Sequence, residues 1–194
     1  MLVQTYFSAQ KIGKKIESTE FCGILTQTDQ NYISRYKTVK RRDTTMFVRD
    51  LARRLLQTNT GIQSKDWEFE IEEGGNRSAV SIFGHKLHIS FSHSPNWGAV
   101  AVSSFPIGID IEETKSGRNW KKMFEFMEPS EDRTKPSTEM EFLRHWTEHE
   151  ANLKFRSASD SNILFHHYEV QHDTTLCVAT SHLDNVAPKR IHLP

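Results

Sequence analysis

Apolar and polar residues alternate most strictly at Ile107-Gly108-Ile109-Asp110-Ile111-Glu112, where an isoleucine falls on every second position. As a β-strand this stretch turns Ile107, Ile109 and Ile111 to one face and Gly108, Asp110 and Glu112 to the other. Weaker alternations predict strands over Leu2 to Phe7, Trp67 to Ile71, Ala79 to Phe83, Lys86 to Phe91 and Gly98 to Ser103. Turn residues separate them at Glu72-Glu73-Gly74-Gly75-Asn76-Arg77, at Gly84-His85 and at Phe105-Pro106. A closing hairpin is expected from Ile163 to Val170 and Thr175 to Ala179, turning through Gln171-His172-Asp173.

Helical spacing occurs in two long segments. From Thr44 to Gln57, Phe47, Leu51 and Leu55 recur at intervals of four beside Val48 and Leu56, with Asp43 as the expected N-cap. Thr138 with Glu141 forms a capping box that opens a second helix, in which Leu143, Trp146, Glu150 and Leu153 share one stripe. A shorter helix is predicted for Trp120 to Phe126, and the charged, proline-bearing stretch Glu128 to Ser137 reads as a loop.

These elements carry the candidate chemistry. Asp110 and Glu112 stand side by side on one face of their strand. Shielded from water and without a cation one of them must take up a proton, whereas a hard divalent ion lets both stay ionised. An alternating strand in a half-covered sheet produces the same pattern with no metal at all. Glu150 lies among core-facing positions, where an acid is costly unless something positive meets it, so it is the natural third ligand. Lys154, one turn further along, faces the same site. His93 leaves a strand flanked by Ser92 and Ser94, a group able to hold phosphate through hydroxyl, imidazole and backbone donors. The run Arg35, Lys37, Lys40, Arg41, Arg42, followed by Arg49, Arg53 and Arg54, is either a solvated face or a docking surface for a multiply phosphorylated ligand.

Composition narrows the picture modestly. Lysine plus arginine and aspartate plus glutamate both number 25 in 194 residues, so no overall field argues for nucleic acid or a membrane surface. Cys22 and Cys177 lie far apart without metal-type spacing, as expected of a reduced, cytoplasmic protein. No apolar run approaches the roughly 18 residues that span a bilayer, and no export leader is evident.

Together the motifs resemble a known family. Ile107 to Glu112, with Trp146-Thr147-Glu148-His149-Glu150-Ala151-Asn152-Leu153-Lys154 downstream, is similar to the paired signature of the 4′-phosphopantetheinyl transferases, (I/V)G(I/V)D(I/V)E and WxxKE(A/S)xxK. Ile89-Ser90-Phe91-Ser92-His93-Ser94 with Trp97 is similar to that family's N(I/L)SHS segment. The order and separations resemble the larger, Sfp-type branch across roughly Arg35 to Val170. The resemblance implies an α+β fold of two similar α+β lobes in one chain, a pseudo-dimeric arrangement in which each antiparallel sheet is packed with helices. Residues 1–104 would form the N-terminal lobe and residues 105–194 the C-terminal lobe, with coenzyme A in the cleft between them. It implies Asp110, Glu112 and Glu150 as magnesium ligands, Ser92 and His93 at the coenzyme A phosphates and Lys154 at the pyrophosphate. The implied reaction transfers the phosphopantetheine arm to a serine of an apo acyl or peptidyl carrier protein, with Asp110, Glu150 and Lys154 as its catalytic groups. A monomer would suffice.

The departures fall on cations. His149 replaces the lysine usual before the signature glutamate, Gly75-Asn76-Arg77 stands where the family has Gly-Lys-Pro, and Met46 takes the place of a common arginine. A glycine-rich run after Lys154 is replaced by Ser157-Ala158-Ser159-Asp160-Ser161. Each lost cation weakens coenzyme A binding by roughly 1–3 kcal/mol where its phosphate hydrogen bonds are not replaced. Arg77 is the expected replacement for a lost cation, and Arg42 and His149 are further expected contacts at the coenzyme A site. A catalytically weak homologue that binds coenzyme A or a carrier protein is the alternative, and a metal-dependent phosphohydrolase built on the same acids is a third reading.

Overall fold

The computed structural model describes residues 4–13, 25–72, 75–127, 135–155, 162–181 and 186–193, and these fold as mixed α+β. Cys22, most of the expected loop over 128–137 and the 157–161 segment lie outside the described residues. The strands are β1 (Tyr6–Lys11), β2 (Trp67–Ile71), β3 (Arg77–Ser81), β4 (Lys86–His93), β5 (Trp97–Ser103), β6 (Ile107–Glu113), β7 (Ile163–Gln171), β8 (Thr174–Ser181) and β9 (Lys189–Arg190). They form a six-stranded sheet of order β2-β3-β4-β5-β1-β9 and a three-stranded sheet of order β6-β8-β7. All neighbours are antiparallel except β9, which runs parallel to β1 and so returns the C-terminal end of the chain to the first sheet.

Four helices complete the described residues: α1 (Gln27–Ser34), α2 (Val39–Thr60), α3 (Trp120–Phe126) and α4 (Glu139–Phe155). The sequence did not predict α1, although Thr26 and Asp29 form a capping box at its start. Helix α2 begins earlier than expected. The Thr38 hydroxyl accepts from the Arg41 amide and caps it, so Asp43 is an interior residue and Lys40, Arg41 and Arg42 lie in the first turn of the helix.

The buried face of α2, including Phe47, Leu51 and Leu55, packs on one side of the first sheet against Trp67, Val100 and Val102. The other side of that sheet, through Phe7, Ala99 and Ala101, meets Ile107, Ile109 and Ile111 of β6 with Leu176 and Val178 of β8. Helix α4 covers the opposite face of the second sheet, where Ala151 and Phe155 contact Cys177 and Ala179. The order of layers is therefore helix, sheet, sheet, helix, the apolar face of β6 lying at the centre.

Two glycines set the helix-to-sheet distances. A Cβ on Gly98 of β5 would lie 2.8 Å from the Phe47 ring of α2, and one on Gly108 of β6 would lie 1.9 Å from the Ala151 carbonyl oxygen of α4. Only glycine lets backbone approach so closely. Where β6 runs past β4 the Ser90 and Ser92 hydroxyls accept from the Ile109 and Ile111 amides at 3.1 and 3.3 Å, which satisfies edge donors that would otherwise be buried without partners.

Candidate active site

The close approach at Gly108 decides which face of α4 meets β6. The buried residues of α4 are Phe142, Leu143, Thr147, Ala151 and Phe155. This corrects the expected stripe: Leu153 is 51 % exposed, while Trp146, Glu150 and Lys154 lie on the flank that borders a cavity. Small residues, Ala151 and Gly108, take the centre of the contact because the backbones leave no room for larger ones. Glu150 is thus half-buried at a cavity wall.

That cavity has a volume of about 440 Å³. Strand β6 and helix α4 line it with Asp110, Glu112, Glu150 and Lys154, and β3 and β4 with Arg77, Phe91, Ser92 and His93. Helices α1 and α2 add Tyr32, Arg41 and Arg49, and the connection between them adds Tyr36. Seven of the nine residues expected at the metal and coenzyme A sites therefore share one cavity. Arg42 and His149 are not among its lining residues: Arg42 donates to the Tyr36 carbonyl at 3.2 Å, and the His149 ring stands 6.4 Å from that of Trp146.

Asp110, only 4 % exposed, is the hub of the acidic wall. Its Oδ1 accepts from Lys154 Nζ at 2.6 Å and from Ser92 Oγ at 2.7 Å. Its Oδ2 is buried and meets no donor among the described residues. Ser92 Oγ donates to Asp110 while accepting from the Ile111 amide and from Lys154, so its hydrogen-bonding capacity is taken up in holding the aspartate. Lys154 also donates to the Ile109 carbonyl at 3.1 Å.

Glu112, two residues on, is pushed up to about 7 by burial and by the negative charge of Asp110. Arg118, which the sequence reading passed over, partly offsets this through Nη2 at 3.1 Å from Glu112 Oε2. His93 is held down to about 4 by burial and then by the neighbouring charges of Arg41 and Lys154. It is neutral at pH 7, and its Nε2 accepts from the Arg41 guanidinium, which assigns the ring proton to Nδ1.

Neither Arg49 nor Arg53 lies on a solvated face, and Arg53 lies away from the cavity altogether. Both are buried and pair with Asp29, and Arg53 also donates to the Ser64 and Trp67 carbonyls. Burial opposes charge on Asp29, but the Arg53 and Arg49 guanidiniums outweigh it and hold the carboxyl below its ordinary range. Arg49 still reaches the cavity wall, 4.5 Å over the Tyr32 ring, and Arg41 lies 5.3 Å over the ring of Tyr36. A signal for this wall exists in the sequence: Arg41, Thr45 and Arg49 recur every four residues, one helical face once the helix begins at Val39.

Two adjacent carboxylates, one with an orphaned buried oxygen and one whose ionisation its neighbour opposes, suit a hard divalent cation. As placed, the described residues contain no group of three or more His, Cys, Asp or Glu side chains positioned to hold an ion. Lys154 and Arg118 instead stand against Asp110 and Glu112. Among the described residues no helix is long and apolar enough to cross a membrane. Compared with known proteins, the chain matches no family model and no curated protein.

Proposed function

We propose that the chain is a 4′-phosphopantetheinyl transferase, moving the phosphopantetheine arm of coenzyme A to a serine of an apo carrier protein and releasing adenosine 3′,5′-bisphosphate. The observation that carries this reading is the Gly108 contact. It seats α4 on β6 so that the two sequence motifs, 44 residues apart at Asp110 and Lys154, line a single cavity with a 2.6 Å ion pair between them.

In this reading Asp110, Glu112 and Glu150 would hold magnesium, which would supply positive charge to the pyrophosphate and Lewis acidity at the phosphorus under attack. The carrier serine oxygen forms a bond to the phosphorus that bears the pantetheine arm, and the bond from that phosphorus to the departing bisphosphate breaks. Glu150 takes the serine proton, a role worth roughly 10²–10⁴-fold when the base is within hydrogen-bond reach. Arg41, Arg49, Arg77 and Lys154 give the phosphates fixed positive partners, so the protein contributes mainly positioning and electrostatics. Neutral His93 holds Arg41, and Ser92 holds Asp110.

The same proposal reads the two sheets as the two lobes of a pseudo-dimeric fold, each with a helix seated on a strand glycine, Gly98 in one and Gly108 in the other. It assigns the protein to the cytoplasm, as a monomer. A second reading, a catalytically weak homologue that binds coenzyme A or a carrier protein, is favoured by the cations resting on Asp110 and Glu112.

The test is incubation with magnesium, coenzyme A and a panel of apo carrier proteins, with mass spectrometry of the carriers. Transfer that is lost in folded Asp110→Ala and Glu150→Gln proteins supports the enzyme. Carrier binding without modification supports the second reading, and cleavage of coenzyme A without a carrier would reveal a hydrolase.

A further inference from the structure

Arg118 stands beside the acidic wall and has no part in the reaction as proposed. Gly117, at φ 78°, turns the chain after β6 and leads into it. The Arg118 guanidinium then lies between two carboxylates, with Nη2 3.1 Å from Glu112 Oε2 and Nη1 3.6 Å from Glu139 Oε1. Its side chain is 14 % exposed, and those of the two acids are 23 % and 22 % exposed. Glu139, in the first turn of α4, is held in place by the Lys115 amide at 3.0 Å.

The two acids differ in position. Glu112 lines the cavity and Glu139 does not. A guanidinium and a divalent cation on the same carboxylate repel each other strongly in a partly buried setting. When a cation takes Glu112, Arg118 must lose that partner, and the second carboxylate within reach is already there to keep it paired. Without such a partner the displaced charge would be left uncompensated in a poorly solvated place, which is costly.

Resting on the metal site described under the proposed function, we propose that Arg118 is a two-position counter-ion. It neutralises Glu112 when no metal is bound, passes to Glu139 when a divalent cation arrives, and thereby sets the affinity of the site. Glu139 is a positioning residue that acts only through Arg118.

The experiment is titration of the whole chain with Mn²⁺ alone, free ion being followed by electron paramagnetic resonance and folding by circular dichroism. Arg118→Gln removes a competitor and is expected to bind Mn²⁺ about tenfold tighter, the scale of one charge-assisted hydrogen bond. Glu139→Gln removes the receiving partner and is expected to bind several-fold more weakly. In the Arg118→Gln background the Glu139→Gln change is expected to have no effect, because the two act as one unit. Arg118→Lys keeps the charge but loses the fork, and its intermediate tightening supports the proposal even where the neutral variant folds poorly.

A merely structural role would loosen binding in every variant. Unchanged or weaker binding by folded Arg118→Gln and Arg118→Lys overturns the counter-ion, as does an undiminished effect of Glu139→Gln in the double variant. Asp110→Asn separates this result from failure of the metal site itself. If the wild-type chain binds Mn²⁺ no better than Asp110→Asn, the metal reading falls and takes the counter-ion with it.

Discussion

Gly108→Ala tests the contact on which the cavity depends. The added methyl would sit 1.9 Å from the Ala151 carbonyl oxygen and 2.9 Å from the Phe155 nitrogen, and both are backbone atoms of a helix that cannot rotate aside. An ordinary carbon-to-oxygen contact is about 3.3 Å, so α4 must retreat by about 1.4 Å. That displacement stretches the 2.6 Å Lys154–Asp110 pair beyond hydrogen-bond reach and leaves a buried carboxylate with Ser92 alone on Oδ1 and no donor on Oδ2. Overpacking costs about 1–3 kcal/mol and occasionally more, and the weakened ion pair adds to it, giving about 3–5 kcal/mol in all. For a chain of this size that is a fall of about 10 °C in Tm. Thermal melts followed by circular dichroism measure it. Gly98→Ala is the control, because there the obstructing atoms belong to the Phe47 and Val48 side chains. Phe47→Leu with Val48→Ala should restore much of the loss at Gly98, whereas Ala151→Gly should restore none at Gly108, since the carbonyl remains. A Gly108→Ala protein melting within about 2 °C of wild type would refute the close approach and with it the stated origin of the cavity.

Asp29→Ala strands the Arg49 and Arg53 guanidiniums in the interior and should cost about 3–5 kcal/mol, read from urea unfolding. Because the Asp29 carboxyl is held below its ordinary value, its contribution is present above the unfolded-state value of 3.8 and disappears as acidification passes through the lower folded value. Glu112 behaves in the opposite sense. With its folded value raised from 4.5 to about 7, ionisation is a penalty that is full above pH 7 and fades as pH falls toward 4.5. In a metal-free buffer Glu112→Gln should therefore melt higher than wild type at pH 8 and the two should converge near pH 5; equal differences at both pH values would remove the electrostatic explanation. Ser92→Ala should destabilise by about 1–2 kcal/mol, because the Ile111 amide and Asp110 Oδ1 each lose a partner, and stability unchanged in chemical denaturation would contradict that assignment.

What could be read along the chain was what depends on neighbouring positions. The strand over Trp67–Ile71 and the helix over Trp120–Phe126 agree with the spacing residue for residue, and the Ile107, Ile109, Ile111 face is buried as its period of two requires. Proximity of Asp110 to Glu112 follows from the same period, Glu150 and Lys154 were assigned to their site from helical spacing, and a shared cavity with Ser92, His93 and Arg77 was reached only through a resemblance of motifs.

Folding alone decided how charges are paired and which side of a helix is covered. Arg49 and Arg53 look like surface cations until Asp29, 20 and 24 residues earlier, arrives beside them from a helix that the sequence did not announce. Leu153 looks like core until the Gly108 contact turns Ala151 inward instead. Arg118 on Glu112 and Lys154 on Asp110 likewise depend on where a turn and a helix come to rest. Periodicity is a property of the local backbone and is legible in one dimension. Electrostatic partnership and close approach are properties of distances through space, which only the packed chain sets.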